Sequence, residues 1–244
     1  MLRRLALALG LLLSFTAIGR AQTVDDIVAK TLAAQGMDKM KSVQTIRMTG
    51  TMTITPPGID AAIVIENKRP AKTRLTLTVQ GIENTQAYDG ETGWSFMPVQ
   101  GKTAPEPPSA DEMKDLRQQA DMDGSLMDYK TKGHKVELVG KEAVQGTDAW
   151  KLKLTLKDGD VQYMYIDAEN WLPIKMDTTR TINGTEMKTE TFMSDYKAEG
   201  GITMPHSIEA KVPELGVTQK VTVQKVELDV PIDDARFKAP AVVK

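Results

Sequence analysis

Residues 150–157 read Trp-Lys-Leu-Lys-Leu-Thr-Leu-Lys. Trp150, Leu152, Leu154 and Leu156 alternate with Lys151, Lys153, Thr155 and Lys157, which is a strand with one buried and one solvated face. The same period of two recurs in both directions along the chain. Upstream, Ile46, Met48, Met52 and Ile54 share one face, with Thr45, Arg47, Thr49, Thr51 and Thr53 on the other. Ile63 and Ile65 open a second strand that runs to Pro70. Leu75, Leu77 and Val79 make a third, and Gly81 turns it towards Gln86–Tyr88. Asp89-Gly90 turns the chain again before Trp94 and Phe96. Downstream, Lys135 begins a second run of strands, with hairpin signals at Asp158-Gly159 and Asn183-Gly184. In the last long strand the apolar parity slips between Val221/Val223 and Val226/Leu228, which predicts a bulge near Gln224-Lys225.

Two segments break this pattern. Val24–Lys41 reads as an amphipathic helix, with Asp25 and Asp26 at its positive end and Gly36 loosening its last turn. The Pro-rich stretch Lys102–Pro108 leads into Ser109-Ala-Asp-Glu112, a capping box that starts a helix running to about Asp121. That second helix carries few large apolar residues, Met113, Leu116 and Met122 among them, so it binds its neighbours weakly and is able to move. About eleven antiparallel strands and two to three helices give a mostly antiparallel β (α+β) chain. The expected architecture is a curved, incomplete barrel wrapped around the helices. Such a half-barrel leaves a concave apolar face that is either packed solid or kept open for a ligand.

The first twenty-one residues have the composition of an export signal. Arg3 and Arg4 precede an apolar stretch from Leu5 to Ile18, and Gly19-Arg20-Ala21 ends on small residues. The apolar run is shorter than the roughly twenty residues that a permanent span needs. Cleavage between Ala21 and Gln22 leaves residues 22–244 as one domain, expected to be soluble in the periplasm and monomeric. Gln22-Thr23 stand where a lipid-anchored protein would carry a cysteine.

Composition excludes several function classes. The chain has no cysteine, so neither a disulfide framework nor a thiolate site is available. Removing the signal takes away three arginines and no acids, which moves the formal charge from −2 to −5 and argues against nucleic acid as a partner. The two histidines, His134 and His206, are far apart, and no metal site or cofactor is expected. Asp121, Asp123 and Asp128 approach a calcium-loop spacing, but Lys132 stands where the bidentate Glu belongs, so a solvated acidic loop is the simpler expectation. No nucleophile, phosphate or dinucleotide motif occurs, and catalysis is not expected.

Lys68-Arg69-Pro70, then Asp89-Gly90-Glu91-Thr92-Gly93-Trp94, then Pro98 resemble, in order and spacing, the outer-membrane lipoprotein-sorting (LolA-like) carriers. The run Ile232–Pro240 resembles that family's terminal segment. The resemblance implies a soluble carrier that holds acyl chains of lipoproteins, or another lipid, between the concave sheet and the helices. It further implies an inner-membrane transporter that loads the carrier and an outer-membrane acceptor that unloads it. Arg69 would then latch a helical lid by donating to carbonyls of an adjacent loop or helix, and let go when ligand enters. Read from the residues alone, Arg69 is a surface ion pair and Trp94 a core anchor. The lining expected on this reading is Met48, Met52, Ile63, Ile65, Leu75, Leu77, Trp94 and Phe96, with Met113 and Leu116 on the covering helix. Exported proteins of this architecture also resemble envelope sensors that bind a lipidated or unfolded partner, and the residues do not separate that role from a carrier's.

Overall fold

The computed structural model describes residues 22–182 and 185–240. The signal segment and the Asn183-Gly184 turn expected from sequence lie outside the described residues. Twelve strands form one antiparallel sheet: β1 (Thr45–Thr55), β2 (Ile59–Lys68), β3 (Lys72–Val79), β4 (Ile82–Tyr88), β5 (Gly93–Phe96), β6 (Lys135–Val144), β7 (Thr147–Thr155), β8 (Val161–Asp167), β9 (Pro173–Ile182), β10 (Thr185–Glu199), β11 (Ile202–Val212) and β12 (Val217–Leu228). Their spatial order is β5-β4-β3-β2-β1-β12-β11-β10-β9-β8-β7-β6, so two meanders are joined where the last strand returns beside the first. The sheet is not closed. At one free edge the four-residue β5 is covered by a reciprocal bridge between Ser95 and Glu106, at 2.8 Å each way. The other edge, β6, is kinked by a register shift between Leu138 and Gly140, and it carries Lys135 and Lys141. Short, bulged and charged edges resist further pairing.

Three helices occupy the hollow side. The helix α1 (Val24–Ala34) starts on a Thr23/Asp26 capping box. The helix expected to continue to Lys41 breaks at Gly36, whose φ of +69° ends α1 and starts the single turn α2 (Met37–Met40). The Ser109/Glu112 capping box starts α3 (Ala110–Ala120), as its sequence predicts. The expected bulge is also present, since the β1–β12 register shifts between Thr49 and Gly50 and leaves Gln224 unpaired.

Two clusters define the core between helices and sheet. Ile27 and Val28 of α1 pack on Leu152, Leu154 and Ile166, the face that the Trp150–Lys157 alternation marks. Met37, Met40 and Met127 pack on Ile46 and Ile202, with Met48 and Val226 beside them. The convex side of β2–β5 is covered instead by the chain after β12. There Phe237 is fully buried, and Trp94 Nε1 donates to the Phe237 carbonyl at 2.8 Å. Arg236 and Arg47 both bind Glu66, whose side chain is only 1% exposed. The terminal run Ile232–Pro240 is therefore a strap over the outside of the half-barrel.

Candidate functional site

Cross-strand pairing decides which expected lining residues share a face. Met48 pairs with Ile65 and Ile65 with Leu75; Gly50 pairs with Ile63 and Ile63 with Leu77; Met52 pairs with Ala61. Directly paired residues project to the same side, so Met48, Met52, Ile63, Ile65, Leu75 and Leu77 all face the hollow. Trp94 and Phe96 do not. Trp94 pairs with Ala87, Ala87 with Arg74 and Arg74 with Glu66, the convex row beneath the C-terminal strap. Phe96 continues that row beside Thr85. The strand β5 enters from the Asp89–Thr92 turn one position out of phase with the lining expected from sequence. Trp94 is thus a core anchor, the other role its sequence context allowed.

The open spaces of the hollow lie beyond all ten of those residues, against β8–β11. An inner chamber of about 290 Å³ is lined by seven of the chain's fourteen methionines, among them Met37, Met40, Met164, Met176 and Met204. Leu32 and Ile202 complete its apolar wall, and the segment Asp121–Leu126, which follows α3, forms its roof. A second space of about 320 Å³ continues past Met176 to Met187, Val212 and Leu215. A wider mouth of about 700 Å³ opens between α3 and the β7–β8 hairpin, and Met176 lines it as well. Met176 is therefore where chamber, trough and mouth meet. Methionine suits such a wall because its unbranched, polarizable side chain conforms to varied apolar shapes. The abundance of Met was legible in the sequence, but its convergence on one chamber depends on strands distant in the chain.

The helix α3 packs on the β2–β5 side of the sheet and faces the β7–β8 hairpin. Leu116 and Ala120 are buried against Tyr88, with Met113 and Ala71 beside them, while Asn67 Nδ2 donates to the Gln119 carbonyl. Across the mouth, Lys114 Nζ reaches Asp160 at 3.2 Å on the β7–β8 hairpin. Gly93 seats the helix on β5, since a Cβ there would lie 2.8 Å from Met113 Cε and 3.0 Å from Pro108 Cγ.

Arg69 leaves the end of β2 and ties this assembly together. Its Nε donates to the Val43 carbonyl at 2.8 Å, and Nη2 donates to the Met40 carbonyl at 2.9 Å. Nη1 and Nη2 grip the Asp123 carboxylate at 2.9 and 2.5 Å, a bidentate pair. The hydrogen bond to Asp123 raises the Arg69 pKa, and the same bond from Arg69 lowers that of Asp123. Asp123 is thus a partner that the sequence presents only as one member of an acidic loop. Its neighbour Asp121 turns the other way, to Lys132, which also donates to the Gly124 carbonyl. These carboxylates are held by different cations and do not converge on a common centre. Among the described residues no group of three or more acidic or histidine side chains is arranged for a metal, and no helix is long and apolar enough to cross a membrane. His206 is buried in β11 beside the Val223 carbonyl, whereas His134 borders the mouth.

A family model whose description reads "-like: Uncharacterized protein" matches residues 60–242, well over half of the chain. A LolA superfamily protein from Nitrosomonas europaea shares the fold with a TM-score of 0.63 at 13% identity, over 88% of this chain and 97% of that one. The chain belongs to the family of that model, and its fold is LolA-like. A domain described under outer membrane lipoprotein sorting, from Vibrio parahaemolyticus, aligns with a TM-score of 0.60 at 11% identity, over 87% and 94% of the two chains. A DUF1329 family protein from Desulfovibrio piger aligns with a TM-score of 0.59 at 16% identity, over 89% and 98%. At such identities the likeness is one of fold. No curated protein matches the sequence. Within the LolA-like half-barrel, Arg69 is the arginine of the Lys68-Arg69-Pro70 motif.

Proposed function

We propose that this LolA-like protein is an exported, periplasmic carrier that holds the acyl chains of a lipoprotein or another lipid reversibly, by binding and without chemistry of its own. The observation that carries the reading is the methionine-walled chamber beneath the Arg69-tethered roof. Burying a methylene is worth ~0.8 kcal/mol, so a sixteen-carbon chain represents on the order of 12 kcal/mol, and it needs a permissive apolar wall rather than hydrogen-bond donors. Methionines on four or more separate elements can move to make room for it.

Arg69 acts as the latch in this reading. Met122 and Leu126 on the roof segment that Asp123 anchors are buried, as is Met127 just after it. Parting Arg69 from Asp123 frees that segment to lift and take its apolar side chains with it, which widens the chamber towards Met48 and the β1–β3 face. Bonds from one guanidinium to Met40, Val43 and Asp123 favour the closed, empty form. Cargo must displace that form, and its departure is aided by the latch re-forming. Directionality then comes from a membrane transporter that loads the carrier and an acceptor that unloads it. The test is direct: purify the secreted chain under native conditions, extract it with organic solvent and analyse the extract by mass spectrometry. Recovery of near-stoichiometric lipid supports the carrier reading. A lipid-free protein that also fails to bind a fluorescent fatty acid counts against it.

A further inference from the structure

The mouth differs in character from the chamber it feeds. Its rim carries Arg117 on the last turn of α3 and Lys157 in the turn that follows β7, both exposed. Among the described residues neither side chain has an ion-pair partner. The acids on the same rim are already engaged, Asp121 by Lys132 and Asp158 by Lys114 at 4.0 Å. The negative end of α3 is also muted, because its Gln118 and Gln119 carbonyls accept from Asp121 N and Asn67 Nδ2. His134 stands between these groups. Its Nδ1 accepts from the Lys157 amide at 3.0 Å, which leaves Nε2 as the donor end of a neutral ring. Burial lowers the His134 pKa, with the Lys132 charge as a second cause, and both keep the ring neutral.

Two uncommitted cations and a neutral donor therefore border an opening whose floor, Leu156 and Met176, is apolar and continuous with the methionine chamber. We infer that the mouth is a head-group site, and that the cargo is an amphiphile with an anionic head, a carboxylate or a phosphate, whose chain runs past Met176 into the chamber. The inference rests on the carrier reading and adds the chemistry of the cargo's polar end. Arg117 can present a planar fork to either oxyanion and Lys157 a point charge beside it. Because Arg117 rides on α3, a bound head group also adds a link between the lid helix and the turn that follows β7.

The experiment compares ligands of one chain length. Dodecanoate, dodecyl phosphate, dodecan-1-ol and inorganic phosphate are titrated into the secreted protein at pH 8, low salt and concentrations below micelle formation, with calorimetric readout. Both anionic amphiphiles should bind about tenfold tighter than the alcohol, the scale that two partly exposed charge contacts supply. The preference should shrink as salt is added. In the double variant Arg117→Gln/Lys157→Gln their affinity should fall to that of the alcohol. Equal affinity for acid and alcohol in the wild-type protein overturns the head-group site, as does a preference that survives the double substitution. Tight binding of inorganic phosphate alone would contradict the need for a chain. If no amphiphile binds at all, it is the carrier reading that fails.

Discussion

Asp123 receives both terminal nitrogens of Arg69 from 54 positions along the chain, and the same guanidinium holds the Met40 and Val43 carbonyls. One side chain thereby joins the end of β2, the single-turn α2 and the roof of the chamber. The pair is mostly shielded, with side chains 20% and 25% exposed, so it belongs with the stronger charge-assisted contacts rather than with ordinary surface pairs.

The latch should be measurable as a coupling. Arg69→Leu and Asp123→Asn are each expected to cost about 1–3 kcal/mol of stability, with a coupling of about 1–2 kcal/mol in the double-mutant cycle. On the proposed latch, in which the pair favours the empty form, its loss should tighten the hold on cargo and slow transfer to acceptor vesicles about five- to thirtyfold. Transfer assays on Arg69→Leu check this, and unchanged transfer would sink the latch.

The pH dependence follows from Asp123 and Asp234. Arg69 holds Asp123 below the usual carboxylate range, and Lys68 and Lys72 bring Asp234 on the C-terminal strap down to about 2. A depressed carboxylate stabilises the fold above its unfolded pKa, near 3.9, and that contribution is lost as pH falls through the folded value. Latch and strap should accordingly be insensitive between pH 8 and about pH 5, then weaken below about pH 4. Chemical-denaturation midpoints of the wild type should fall more steeply in that acid window than those of Asp123→Asn and Asp234→Asn. Parallel curves would contradict the assignment.

Gly93 should prove to be the seat of the lid. A methyl group there meets Met113 Cε, which can swing away, and Pro108 Cγ, which cannot. Gly93→Ala is expected to cost about 1–2 kcal/mol and to raise amide exchange in α3, by overpacking a close contact. Adding Met113→Ala should recover part of the loss. Exchange confined to β5, with α3 still protected, would show that the helix is not seated there.

Much of the fold was legible because alternation is local. Leu152 and Leu154 identify a one-face strand on their own, Ser109 and Glu112 a helix start, and the slip at Gln224 a bulge. Parity also put Met48, Met52, Ile63, Ile65, Leu75 and Leu77 on one side. It failed for Trp94 and Phe96 because the Asp89–Thr92 turn resets the phase, and a one-residue change exchanges the faces of a strand. The chamber was illegible for a different reason. Met37, Met164, Met176 and Met204 come from four elements, so their meeting is a property of the sheet order, in which β12 intervenes between β1 and β11. Asp123 was hidden likewise: nothing near it in the chain names Arg69 as its partner.

The central claim, that the methionine-lined hollow takes an acyl chain, is tested most directly at Met176, where chamber, trough and mouth meet. The measurement is an equilibrium titration of the purified protein and its Met176→Asp variant with a fluorescent long-chain fatty acid, both proteins first shown to be folded. A carrier should bind saturably, near one chain per protein. A carboxylate at Met176 should weaken that binding at least about tenfold, since burying it without a partner is costly. Equal binding by the two proteins, or none by the folded wild type, would contradict the account.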